Sequence, residues 1–220
     1  MKFGIFGALT ALALTACASA PKDFSFDRAK NALIVLAVPN EAAKTIDEFR
    51  RVDLATKQFV ESGYVRIETS TAWLSAKPSN WINDGRLVLL LVQEVAPGDY
   101  ALQQSTRAVT NGVRDTWGKV CFSKLSPVYS LVAGEIALIR VDQTSVSQSA
   151  GEWRTPTTDP VLLASGVAAV LKEFERARAD YPGLSGDAKM IEPDALIRWP
   201  ASENCSLPPS FEVVSRRTAQ

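Results

Sequence analysis

Two stretches of the chain are apolar at almost every position: ALIVLAV, residues 32 to 38, and RLVLLLVQEV, residues 86 to 95. Neither shows the alternation of a strand with one wet face. Each therefore reads as a strand covered on both sides, the first ended by Pro39 and Asn40, the second central in a sheet. Residues 63 to 71, GYVRIETST, set Val65 and Ile67 against Arg66 and Glu68, the two-residue period of a half-exposed strand. EAAKTIDEFRRV, 41 to 52, reads as a short helix capped by Asn40. A longer helix is predicted to begin with Asp159 as cap and Pro160 in the first turn. Leu163, Val167, Val170, Phe174, Ala177 and Tyr181 form its apolar stripe, and Pro182-Gly183 stops it. Its polar face mixes both signs, which suits packing against a protein core better than lying on a membrane.

VAPGDYALQ from Val95 and VAGEIALIR from Val132 echo each other: a glycine between apolar residues, an acid, then an apolar run. Glycine allows a positive φ and Pro97 presets a turn, so each echo is expected to be a strand, tight turn and strand. Repeated hairpins of this kind predict a mainly β protein, an antiparallel β-sandwich with one packed C-terminal helix. VLLLVQEVAPGDYAL followed by VYSLVAGEIALIRV resembles the small β-sandwich domains of bacterial lipoproteins, over residues 32 to 142. The resemblance implies a transthyretin-like or immunoglobulin-like sandwich and transfers no catalytic residue. The insert at 70 to 85 and the long C-terminal part depart from that pattern. Residues 143 to 220 are expected to hold the helix and an extended tail packed on the sandwich, with FEVV from Phe211 as an edge strand.

The amino-terminal segment has a different character. Lys2 precedes fourteen uncharged residues, Phe3 to Ala16, the layout of an export signal and shorter than the roughly 20 apolar residues of a spanning helix. Leu14-Thr15-Ala16-Cys17 resembles the lipobox of bacterial lipoproteins. The resemblance implies cleavage before Cys17 and fatty acyl chains, palmitate among them, on that residue, so that 17 to 31 become a tether. Several acyl chains hold a protein on a membrane where one would not. Ala18, in place of an aspartate, implies the outer membrane, on its periplasmic face. Two alternatives remain: ordinary cleavage after Ala18-Ser19-Ala20, with Pro21 beyond the bond, and an uncleaved anchor.

Cleavage before Cys17 leaves 204 of the 220 residues, enough for a sizeable core. Cys121 and Cys205 then form an even pair in a compartment that permits disulfides, and are expected to be bridged. Lys plus Arg and Asp plus Glu number 24 each, so bulk charge gives no reason to expect nucleic acid as a partner.

The chain has no histidine, which removes the Ser-His-Asp and Cys-His arrangements and histidine-ligated zinc. The only S-x-x-K match, Ser19 to Lys22, falls in the tether. Carboxylates alone could still serve as acid and base in a hydrolase, the least favoured reading; Asp84, Asp99 and Glu135 lie near predicted turns, where acidic residues are usually just solvated. No cofactor, metal site or catalytic residue is assigned, and the expected function is a non-enzymatic binding or scaffolding domain whose partner is an envelope protein. The alternative is a glycan or peptidoglycan binder. The five tryptophans stand within two residues of Pro, Asn, Gly or Thr, as loop residues would, and Trp73 and Trp81, flanking LSAKPSN, are the best candidates for stacking on a sugar. Otherwise the tryptophans plug the ends of the sandwich.

Overall fold

A computed structural model describes residues 25–39, 44–68, 81–82, 88–110, 115–139, 171–172, 174–200 and 205–217. Among these residues twelve strands form two sheets. The first has the order β10 (Ala188–Met190), β9 (Ile136–Ile139), β1 (Ala32–Pro39), β5 (Val88–Val95), β4 (Trp81–Ile82). The second runs β12 (Glu212–Arg216), β11 (Ala195–Arg198), β8 (Ser126–Leu131), β6 (Gly98–Thr110), β2 (Lys44–Asp53), β3 (Gln58–Glu68), with β7 (Asp115–Cys121) paired to the far half of β6. The mainly β, two-sheet architecture with one helix agrees with the sequence. In the first sheet, however, β9 pairs parallel with both β1 and β10.

The unbroken apolar run of β1 has a direct explanation. Ile34 and Leu36 point into the space between the sheets, meeting Phe49, Ile67, Leu102 and Tyr129. Leu33 and Val35 point the other way, where with Leu90, Val92, Ile136 and Leu138 they receive Phe174, Ala177 and Tyr181. Those three belong to the C-terminal half of the predicted stripe, on a helix α1 described over residues 171–172 and 174–180 and the residue that follows it. Asp159 to Val170 lie outside the described residues. A further apolar layer coats the outer face of the second sheet, where Val52, Ala101, Val128 and Ile197 pack with Trp199 and Phe211.

Residues 44 to 53 are a strand, not a helix. β2 is hydrogen-bonded along both sides, to β3 and to β6. Phe49 joins the inner core and Val52 the outer one. A step of three, which a helix would gather on one side, reverses the face in a strand. Because both faces are covered, apolar residues three apart are both buried.

The two echoes are not hairpins within one sheet. β5 leaves the first sheet at Val95 and β6 enters the second at Gly98; β8 leaves the second sheet at Leu131 and β9 enters the first at Ile136. Each echo is thus a corner that carries the chain across the sandwich. Gly98 pairs with Leu131, and Ala32 with Val95, which places both corners at the end where β1 begins. Gly134 has φ +83°, a conformation that glycine adopts without steric cost.

Candidate functional site

A cleft of about 310 Å³ opens on the flank of the sandwich between β3 and the corner that joins β5 to β6. Its most constrained residue is Arg51, near the end of β2. The β2–β3 register shifts between Arg50 and Val52, so Arg51 has no direct partner on β3. Glycines stand where the arginine passes. A Cβ built on Gly63 would fall 2.0 Å from the Cβ of Arg51, and one on Gly98 would fall 2.6 Å from its Nε. Arg51 Nη2 donates to the carbonyl of Pro97 at 2.8 Å. Tyr100, also in the lining, donates its hydroxyl to Ala96 O at 2.8 Å. Burial pushes the Tyr100 phenol above its usual range, and the nearby Arg51 charge pulls the other way.

From Tyr64 and Arg66 on the cleft's lip a polar network runs to neighbouring side chains of β2 and β6. Arg66 Nη2 reaches Glu68 Oε2 at 2.7 Å, and Glu48 accepts from Gln104 Nε2. The bond to Glu68 holds the Arg66 guanidinium more firmly protonated than usual. The Arg50 guanidinium lies 4.4 Å from the centre of the Tyr64 ring, and its Nε donates to Gln103 Oε1 at 3.0 Å. Tyr64, 42% exposed, has its phenol raised by partial burial and by the Glu48 charge. Gln103 Nε2 donates in turn to the carbonyl of Cys205 at 2.8 Å. Cys205 is joined to Cys121 in a disulfide with the Cα atoms 5.7 Å apart. The lip and the tail are therefore one connected structure.

On the inner side, Asp47 is fully buried and accepts a hydrogen bond from the buried Ser105 hydroxyl. Sequence reasoning missed both Arg51 and Asp47. The available signal was their placement: with Phe49 taken as inward-facing on a strand, residues 47 and 51 share its face.

Chemically the cleft offers guanidinium, phenol, amide and carboxylate groups that bind polar partners. No group of three or more His, Cys, Asp or Glu able to hold a metal is present among the described residues. Asp99 accepts from the Ser130 hydroxyl at 2.6 Å and Glu135 from the Val132 amide at 3.2 Å, so both fasten local structure. Asp84, Ser19, Lys22, Cys17 and Trp73 lie outside the described residues. Trp81 and Trp117 belong to strands β4 and β7, not to loops. Trp199 is buried, edge-on to Phe59 with centroids 5.4 Å apart, and contributes no surface for a sugar. Among the described residues no helix is long and apolar enough to cross a membrane.

No protein-family model, curated protein or solved structure matches this chain.

Proposed function

We propose that the protein is a lipid-anchored domain of the bacterial cell envelope, held by Cys17 on the periplasmic face of the outer membrane, which binds or scaffolds another envelope protein without catalysing a reaction. The observation that carries this reading is the placement of Cys17: it ends an uncharged export segment in the sequence LTAC and precedes the first described residue of the fold by only eight positions. The disulfide is in keeping with an oxidising compartment. The flank cleft, with the exposed Tyr64 and Arg66 on its lip, supplies a polar recess for the partner.

Cys17→Ser tests the anchor. Expressed in a Gram-negative host with labelled palmitate, the native chain is expected to take up label and to sediment with outer membranes, and the variant to do neither. A variant that is still cleaved and still membrane-bound overturns the reading. The binding surface is tested by crosslinking in the intact envelope, where Tyr64→Ala with Arg66→Ala is expected to reduce the yield of a specific adduct at least fivefold.

A further inference from the structure

We propose that the end of the sandwich where β1 begins is a membrane-facing surface, and that the corner Val132–Glu135 rests in the phospholipid headgroup region. The inference rests on the anchored reading above and adds an orientation and a contact surface to it.

The chain between the anchor and the fold is short and its far end is fixed. Arg28 caps the sandwich. Its Nη2 donates to Ser185 O and, at 3.3 Å, to Gly183 O, while Nη1 lies 3.5 Å from Gly134 O. The same guanidinium sits 4.7 Å from the centre of the Phe26 ring, which itself packs against the core beneath α1. The Asp27 amide and the Asn31 side chain both donate to Glu94, at 3.0 and 2.6 Å, and Gly134 N donates to Asn31 O at 2.8 Å. Residues 26 to 31, expected from the sequence to be tether, are thus built into the domain. Eight residue steps separate Cys17 from Ser25. Fully extended they span at most roughly 28 Å. A domain of this length is about 40 Å across. The reach is shorter than the body it holds, and it starts from one end.

Among the described residues, the large apolar side chain left most open stands at that end. Val132 is 62% exposed, the highest of the exposed large hydrophobic residues, and Ala133 beside it is exposed as well. The corner is rigid: Glu135 N donates to Val132 O at 3.2 Å, Leu33 N to Glu135 O at 2.9 Å, and the Gly134 bond to Asn31 ties it to the anchored segment. Ala96, at the tip of the neighbouring corner, is also exposed. The charges at this end are of both signs, Arg28, Lys30, Lys57 and Arg216 against Asp27, Asp53, Asp99, Asp194 and Glu135. Contact through apolar tips therefore predicts little dependence on anionic lipid, unlike a basic patch.

The test uses the lipidated full chain in vesicles of phosphatidylethanolamine and phosphatidylglycerol. With Cys17 acylated and Cys121 bridged to Cys205, an introduced cysteine is the only free thiol. Val132→Cys and Leu125→Cys, at opposite ends of β8, are each labelled with a polarity-sensitive fluorophore. Quenching by lipids carrying doxyl groups is expected to be at least fivefold stronger at 132 than at 125, and Arg28→Ala is expected to shrink the contrast. Equal quenching at the two positions, or stronger quenching at 125, overturns the orientation; an undiminished contrast in Arg28→Ala overturns the role of the pin. Failure of the anchor itself is seen separately in the mass of the amino-terminal peptide, which would then begin at Met1 or Pro21 or carry an unmodified Cys17. In that event a chain starting at residue 18 behind a hexahistidine tag, placed on nickel-chelating vesicles, tests the orientation by the same comparison.

Discussion

Gly63 and Arg51 show how closely single residues determine the flank of this molecule. A methyl group at 63 would collide with the side-chain root of Arg51, not with a movable tip, so β2 and β3 would have to separate. Gly63→Ala is expected to cost about 3 kcal/mol, the upper end of overpacking penalties, measured by urea unfolding. Asp47 and Ser105 form a buried polar pair between the sheets. Asp47→Ala is expected to destabilise by about 2 kcal/mol, and the double variant with Ser105→Ala by less than the sum of the singles, because the second change removes a group already left without its partner. Tyr64 and Tyr100 give a pH signature. Both phenols are raised above 10.0 in the fold, so the folded chain holds those protons more tightly than the unfolded one. Their contribution is complete below pH 10.0 and is lost as the pH rises through the raised values. Stability is expected to fall above pH 10.0, less steeply in Tyr100→Phe, as read from urea midpoints across an alkaline series.

At the scale of elements, β1 and β5 were legible because burial on both faces leaves an unmistakable apolar run, and the second half of β3 because one of its faces is wet. β2 was not legible as a strand. Its inward face holds Asp47 and Arg51 beside Phe49, so the alternation that marks a strand is broken by residues whose partners come from β6 and from the β5–β6 corner. The corners were read correctly as tight turns but assigned to hairpins, since a glycine turn says how sharply the chain bends and not which sheet it enters next. The helix was legible from its stripe, and Phe174 is its deepest described residue, wholly buried. Phe174→Ala is expected to cost about 4 kcal/mol and to loosen α1 from the first sheet, seen as increased binding of a hydrophobic dye before global unfolding.

For the molecule as a whole, the tail is the part that composition least foretold. Prolines suggested an extended strap fixed by Cys205 with an edge strand from Phe211; β12 is an edge strand of the second sheet, but the tail also supplies β11 beside it and β10 to the first sheet, and its Trp199 and Phe211 roof the outer core. The disulfide spans a sequence separation of 84. Closing a loop of that size stabilises the fold by roughly 4.5 kcal/mol in the chain-entropy view. Cys121→Ser with Cys205→Ser is expected to lower the urea midpoint accordingly, with no further change on adding reductant. The cleft could not be read in advance, because it is made by residues from β2, β3, β5 and β6 that meet only after both sheets have formed. The proposed location rests on the uncharged segment that ends at Cys17, with the disulfide in keeping with it. The most direct measurement is therefore the mass of the amino-terminal peptide of the protein isolated from its native cells. A peptide that begins at Cys17 and carries diacylglyceryl and acyl groups is the expected result; one that begins at Met1 or Pro21, or shows an unmodified Cys17, contradicts the account.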